Sequence, residues 1–223
     1  MISQPALTIP TYVTEMHNEN FRYWMQLRNA TMFRIDAHDD FSDYVPYQEV
    51  IDGKYYRRLT IGNFNCAAVH YGIVSNIYWL NPLKKERRLL DMGSNKDSLR
   101  TFVGGGYIKW VNGWCRFKDY RRIIDEDQIR LSQNPFLLDI DLDGFCCIER
   151  GYDAQNFHHP NHGWEQRVDE TAELVRGLKR PDVITITRSQ GEADYLQYVP
   201  LGLVDDVQAR TLEKLAEIYG GGR

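Results

Sequence analysis

The chain has 223 residues, 43% hydrophobic and 26% charged, which suits one globular domain spanning 1–223 with a core that needs no disulfide staple. A net charge of -4 argues against nucleic acid as the main partner, and no apolar stretch is long enough to cross a membrane. Cys66, Cys115, Cys146 and Cys147 lack zinc-site spacing, and Met1 to Trp24 shows no basic start followed by an apolar run, so reduced buried thiols in a cytoplasmic protein are expected.

Residues 8–16 read as an extended segment of β-branched and aromatic residues, and His17 follows at once. Asn18 is a candidate cap for a helix over Glu19 to Leu27, with Phe21, Trp24 and Met25 or Leu27 at helical spacing. His17 therefore falls at a strand-to-helix junction, where α/β sheets place functional residues; a surface or capping histidine is the plain alternative.

Phe33 to Asp36 reads as a strand end running into Asp36-Ala37-His38-Asp39-Asp40. Side chains alternate along a strand, so Asp36, His38 and Asp40 leave on one side, and they are ligand types for a divalent ion. Residues 60–80 read as a loop, a buried helix and a strand at Ile77-Tyr78-Trp79-Leu80. Asn63, Asn65 and His70 are polar residues in that apolar run, each ordinarily a cap or a core pair.

Lys84 to Arg88 is a charge run of the solvated kind. Alternation about Asn112-Gly113 predicts a type I′ hairpin, hence an excursion from the sheet around 100–118 presenting Tyr107, Trp110 and Trp114. Ile123 to Leu131 is a short amphipathic piece. Phe136-Leu137-Leu138 then opens a strand carrying Asp139, Asp141 and Asp143. Carboxylates this close repel and raise each other's pKa unless a cation neutralises them.

The stretch 151–163 holds His158, His159 and His162, which are extra ligands, proton shuttles or simply part of a flexible loop. Trp164 to Leu178 reads as an amphipathic helix that ends before Pro181. Val183 to Thr187 is a strand, Arg188 to Glu192 its exit loop, and Asp206 to Tyr219 a last helix. Strands alternating with helices imply a mainly parallel sheet covered on both faces.

Three readings of Asp139-Ile140-Asp141-Leu142-Asp143-Gly144 compete. An EF-hand loop begins this way, but Arg150 stands where a bidentate Glu is needed. A phosphatase of the haloacid dehalogenase type has Asp-x-Asp-Gly after a strand, but its following Thr is Phe145 here. The third reading is half of a binuclear site completed by Asp36, His38 and Asp40. Carboxylate and imidazole donors without a thiolate suit Mn²⁺.

The pair Asp-Ala-His-x-Asp at 36–40 and a strand bearing Asp-x-Asp resembles the ureohydrolases, arginase and agmatinase among them. Asp-Ile-Asp-Leu-Asp at 139–143 is more similar to a shorter arginase-like group that includes the peptide arginases. The likeness is strong at 34–41 and 137–145 and weak from 84 to 130; Glu15-Met16-His17-Asn18-Glu19 replaces the usual Gly-Gly-Asp-His-Ser. It implies an arginase/deacetylase-like three-layer sandwich and two Mn²⁺ ions. His17, Asp36, Asp40 and Asp141 would hold one ion, and His38, Asp36, Asp141 and Asp143 the other. Asp139 would support a ligand or replace one. A hydroxide bridging the ions would attack peptidyl-arginine in a precursor peptide, leaving ornithine and releasing urea. Asp40 would move the proton, Glu192 would anchor the guanidinium with Asn65 also contacting substrate, and His70 or one of the 158–162 histidines would shuttle protons. A free-guanidine ureohydrolase, a metal-dependent phosphatase and a non-catalytic metal-stabilised binding domain are the alternatives.

Overall fold

The computed structural model describes residues 7–38, 40, 59–83, 111–113, 126–147, 162–190 and 198–221, with the backbone alone at 66, 70, 111–113 and 126–128. Six strands form one sheet: β1 (Thr11–Thr14), β2 (Ala30–Ile35), β3 (Val74–Leu80), β4 (Val111–Gly113), β5 (Phe136–Asp141) and β6 (Val183–Thr187). Their spatial order is β1-β6-β5-β2-β3-β4, and every pairing is parallel. The helices are α1 (Phe21–Trp24), α2 (Phe64–His70), α3 (Glu126–Leu131), α4 (Trp164–Arg176) and α5 (Val204–Tyr219). Among the described residues no helix is long and apolar enough to cross a membrane.

The sheet separates two cores. Phe33, Ile35, Leu138, Ile140, Ile184 and Ile186 face α4 and α5, meeting Val168, Val175, Val207 and Leu215. Met32, Ile77, Leu137 and Val183 face the other way, against Trp24, Phe64 and Ala67. Each large apolar side chain so buried contributes roughly 1.5–3 kcal/mol. Helices on both faces of a parallel sheet make the three-layer sandwich that the alternating pattern predicts.

The α1/α2 face changes character along the strands. It is apolar at Met32, Leu137 and Val183, then polar at Arg34, at Asp139 and Asp141, and at Thr185 and Thr187. The register sets Arg34 beside Asp139 and Asp139 beside Thr185, with Asp141 beside Thr187. The opposite face is apolar at Phe33, Ile35, Leu138, Ile140, Ile184 and Ile186. Period-two alternation thus builds a buried polar layer at the carboxyl ends of the central strands.

Three local expectations are corrected. Asn18 caps no Glu19–Leu27 helix. A 3₁₀ turn, His17–Asn20, comes first, Glu19 accepts from the backbone N–H groups of Glu15 and Met16, and α1 is a single turn. The Asn18 side chain instead donates to the Leu59 carbonyl at 3.2 Å. Asn112 and Gly113 do not turn a hairpin: they lie in β4, level with Trp79 and Leu80 in a parallel pairing. Pairing with a long-range neighbour overrides the local turn signal. The rest of the 100–118 excursion lies outside the described residues. Finally, Asp143 is not on the strand with Asp139 and Asp141; β5 ends at Asp141 and a 3₁₀ turn, Leu142–Gly144, carries it.

Candidate metal centre

Five short segments meet at the carboxyl edge of the sheet, where parallel α/β folds place their sites. The turn after β1 brings His17, the end of β2 brings Asp36 to Asp40, and β5 with its 3₁₀ turn brings Asp139, Asp141 and Asp143. The exit of β6 brings Ser189, and Tyr198 follows it. Asp40 and Ser189 hold positive φ, at 50° and 52°, a conformation unusual for residues other than glycine. Such backbone concentrates at functional sites.

His17 is the hub. Its Nδ1 lies 3.0 Å from Asp36 Oδ2, 3.0 Å from Asp141 Oδ2 and 3.3 Å from Asp40 Oδ2. Nδ1 is buried and, among the described residues, makes no aligned hydrogen bond. Its other nitrogen, Nε2, meets Asp139 Oδ2 at 2.8 Å. Asp139 is held in turn: Oδ1 accepts from Thr185 Oγ1 at 2.8 Å and from Asn20 Nδ2 at 3.1 Å. Asp139 therefore orients His17 from behind and points away from the other acids.

The second group surrounds His38. Its Nδ1 is 2.9 Å from Asp143 Oδ2 and 3.7 Å from Asp36 Oδ1. The other Asp143 oxygen accepts from the Ala37 N–H at 3.1 Å. Asp141 links the two groups: it faces His17, accepts the Asp143 N–H at 3.1 Å and accepts from Ser189 Oγ at 2.6 Å. Gly144 permits the close approach, since a Cβ there would stand 3.0 Å from Asp36 N and 3.1 Å from Asp36 Cα.

One buried cation stands among these acids. The Arg34 Nη2 contacts both Asp36 and Asp40, and Nε lies 3.6 Å from Asp139. The Phe64 ring lies 5.6 Å from its guanidinium carbon. Asp36, Asp40 and Asp139 meet this guanidinium and Asp141 adds to its field, so among the described residues the carboxylates around it outnumber it.

Electrostatics follow from burial and crowding. Burial, then Asp141 and Asp36, push the Asp143 carboxyl well above the usual range. Burial and Asp36 raise Asp40, against the opposing pull of Arg34. For Asp36 burial is outweighed by Arg34, His17 and His38, which hold it below the ordinary range. Burial would lower His17, but Asp139 and Asp141 lift it well above 6.5. His38 is likewise lifted against burial, by its bonds to Asp143 and Cys147.

The donor set fits a pair of divalent cations. A buried imidazole nitrogen without an aligned hydrogen bond, ringed by three carboxylate oxygens, has the chemistry of a ligand, and its far nitrogen is fixed by a carboxylate. His17, Asp36 and Asp141 converge as one group; His38 and Asp143 converge as a second with Cys147, all ligand atoms of each group lying within 4.8 Å of one another.

Of the residues singled out from sequence, His17, Asp36, His38, Asp40, Asp141 and Asp143 come together, with Asp139 behind His17. Asn65 is fully buried in α2 and neither amide atom has a hydrogen-bond partner among the described residues. His70 closes α2, but its side chain lies outside the described residues, as do Glu192, His158 and His159. His162 is exposed, and its carbonyl accepts from Arg167 at 2.9 Å.

Sequence reasoning missed Arg34, Asn20, Thr185, Ser189, Cys147 and Tyr198. An arginine inside an apolar strand was a usable signal, and so were threonines at period two in β6. Nothing in the sequence placed Cys147 beside His38.

The fold is shared with solved structures. A hypothetical agmatinase from Burkholderia thailandensis superposes with a TM-score of 0.53 at 13% identity, over 93% of this chain and 57% of that one. An arginase from Bacillus cereus gives 0.51 at 15% identity, over 96% and 72%. A formiminoglutamase from Trypanosoma cruzi, solved with Mn²⁺, gives 0.51 at 12%, over 95% and 63%.

This chain has the arginase fold.

The arginase-fold chain spans between 57% and 72% of the length of those three proteins. No protein-family model and no curated protein matches its sequence.

Proposed function

We propose that this arginase-fold protein is a metal-dependent hydrolase that converts arginine within a precursor peptide to ornithine and urea. The observation that carries the reading is the convergence of the oxygens of Asp36, Asp40 and Asp141 on the buried Nδ1 of His17, which makes no aligned hydrogen bond among the described residues. Solved proteins of the same fold carry the names arginase and agmatinase, and one holds Mn²⁺. The oxygen-rich donors at His17 suit Mn²⁺.

Two bound ions would supply a nucleophilic water at neutral pH, which an unreactive guanidinium carbon requires. The chain's own groups do the rest. Asp36 and Asp141 lie between the two histidines and hold both halves together. Ser189 Oγ donates to Asp141 at 2.6 and 2.7 Å, fixing the plane of that carboxylate. Asp40, partly exposed and beside Arg34, would hold a proton and pass it to the leaving amine. Tyr198 packs against His38 with ring centroids 4.6 Å apart and the rings tilted by 50°. Asn65 and Glu192 are assigned to the guanidinium, Asn65 because its buried amide is uncommitted among the described residues. The peptide substrate rests on the likeness of Asp139-Ile140-Asp141-Leu142-Asp143 to the shorter arginase-like group.

The test is mass spectrometry of an arginine-containing precursor peptide incubated with protein and Mn²⁺, with urea assayed in parallel. The expected result is ornithine-sized mass losses matched by urea. Urea from free arginine or agmatine, with the peptide unchanged, would replace the peptide reading with a free-guanidine ureohydrolase. No urea from any of them would reject the reaction.

A further inference from the structure

The two halves of the centre differ in one atom type. The group at His17 offers nitrogen and oxygen only. The group at His38 includes a sulfur: His38, Asp143 and Cys147 present ligand atoms within 4.8 Å of one another. Cys147 is 1% exposed and forms no disulfide. It follows the 3₁₀ turn that carries Asp143, so one short segment delivers both the carboxylate and the thiol to His38. Tyr198 packs against the His38 ring. A ligand set without thiolate suits Mn²⁺, but the fold brings a thiol to one of the two positions. Hard ions such as Mn²⁺ gain little from sulfur, whereas Zn²⁺ and Co²⁺ bind mixed imidazole, carboxylate and thiolate sets tightly.

We propose that Cys147 is a ligand of the ion held by His38 and Asp143, which makes the centre asymmetric: an oxygen-rich position at His17 and a thiolate-bearing position at His38 that prefers Zn²⁺ to Mn²⁺. This deepens the reading of the site as a two-ion centre and rests on it. Binding at the His38 position releases the thiol proton of Cys147 as the sulfur–metal bond forms; no oxidant or reductant takes part. Asp36, 3.0 Å from His17 Nδ1 and 3.7 Å from His38 Nδ1, would then stand between unlike ions.

Co²⁺ is the probe, because a thiolate bound to Co²⁺ gives an intense near-ultraviolet charge-transfer band that nitrogen and oxygen ligands do not. The protein is stripped with chelator, titrated with Co²⁺ and followed by absorption, with bound metal counted by equilibrium dialysis. The expected result is two Co²⁺ per chain and a thiolate band of one equivalent. Cys147→Ser and His38→Ala should lose the band; Cys146→Ser and His17→Ala should keep it. In competition, Zn²⁺ should displace one of two Mn²⁺ ions from the parent protein and show at least tenfold less preference in Cys147→Ser. Two bound Co²⁺ without a thiolate band in the parent protein would overturn the role of Cys147 and leave the two-ion reading intact. No bound Co²⁺ would overturn both. The decisive spectrum is that of the parent protein, so a Cys147 variant that fails to fold does not shelter the proposal.

Discussion

Asp139 Oδ2 meets His17 Nε2 at 2.8 Å across 122 residues of sequence, and that contact fixes which histidine nitrogen faces the other acids. With a proton on Nε2, Nδ1 presents a lone pair toward Asp36, Asp40 and Asp141. Asp139→Asn keeps the size but weakens the acceptor. Affinity for the ion at the His17 position should fall about 10- to 100-fold, as for other carboxylates behind a metal-bound histidine. Calorimetric titration with Mn²⁺ measures this; unchanged affinity would show that the carboxylate does not set the imidazole.

Arg34 is a fully buried cation held by two buried or half-buried acids, and it offsets part of the charge of the cluster. Arg34→Met removes the charge and keeps much of the volume. In chelator the variant should lose roughly 3–5 kcal/mol of stability, the usual cost of leaving buried charge unpaired. Excess divalent metal should recover a large part of the loss. Denaturant unfolding with and without metal distinguishes this from a packing defect, which would cost the same in both.

Gly144 lies against the Asp36 backbone, and a Cβ there has no flexible neighbour to push aside. Gly144→Ala should separate Asp143 from Asp36, with a stability cost of about 1–3 kcal/mol typical of overpacking. Bound metal, counted after dialysis, should fall from two ions to one. Retention of both ions would mean that the two strand ends tolerate the wider spacing.

The pH dependence of stability should change sign with metal. His17 binds its proton more tightly folded than unfolded, because Asp139 and Asp141 outweigh its burial. Its stabilising effect is full below about pH 6.5 and is lost as pH rises through the higher folded value. His38 acts in the same direction. Asp36, held below the ordinary carboxylate range, contributes above about pH 4 and is constant here. The Tm of chelator-treated protein should therefore fall between pH 6 and 9. The gain in Tm from added Mn²⁺ should grow over the same interval, since ligands must shed protons to bind metal. Thermal melts across that range check both slopes; a chelator-treated Tm that rises with pH would contradict the His17 account.

What the sequence by itself determined lies within short spans, where period and spacing are set by the chain. Alternation placed Asp139 and Asp141 on one face of β5, and hydrophobic runs marked β2, β5 and β6. Asp36, His38 and Asp40 were legible as ligands because they lie within five residues of each other. Only the tertiary structure decided which acid stands behind His17 and which stand before it, because that depends on β5 lying between β2 and β6. It also turned Asn112-Gly113 from a turn into an edge strand and set Arg34 among the acids. Cys147 reached His38 through the 3₁₀ turn after β5, across 109 residues, a distance over which no local pattern carries information. Local chemistry is written in neighbours along the chain, whereas the composition of a site depends on strand order, which is fixed by burial of both faces of the sheet at once.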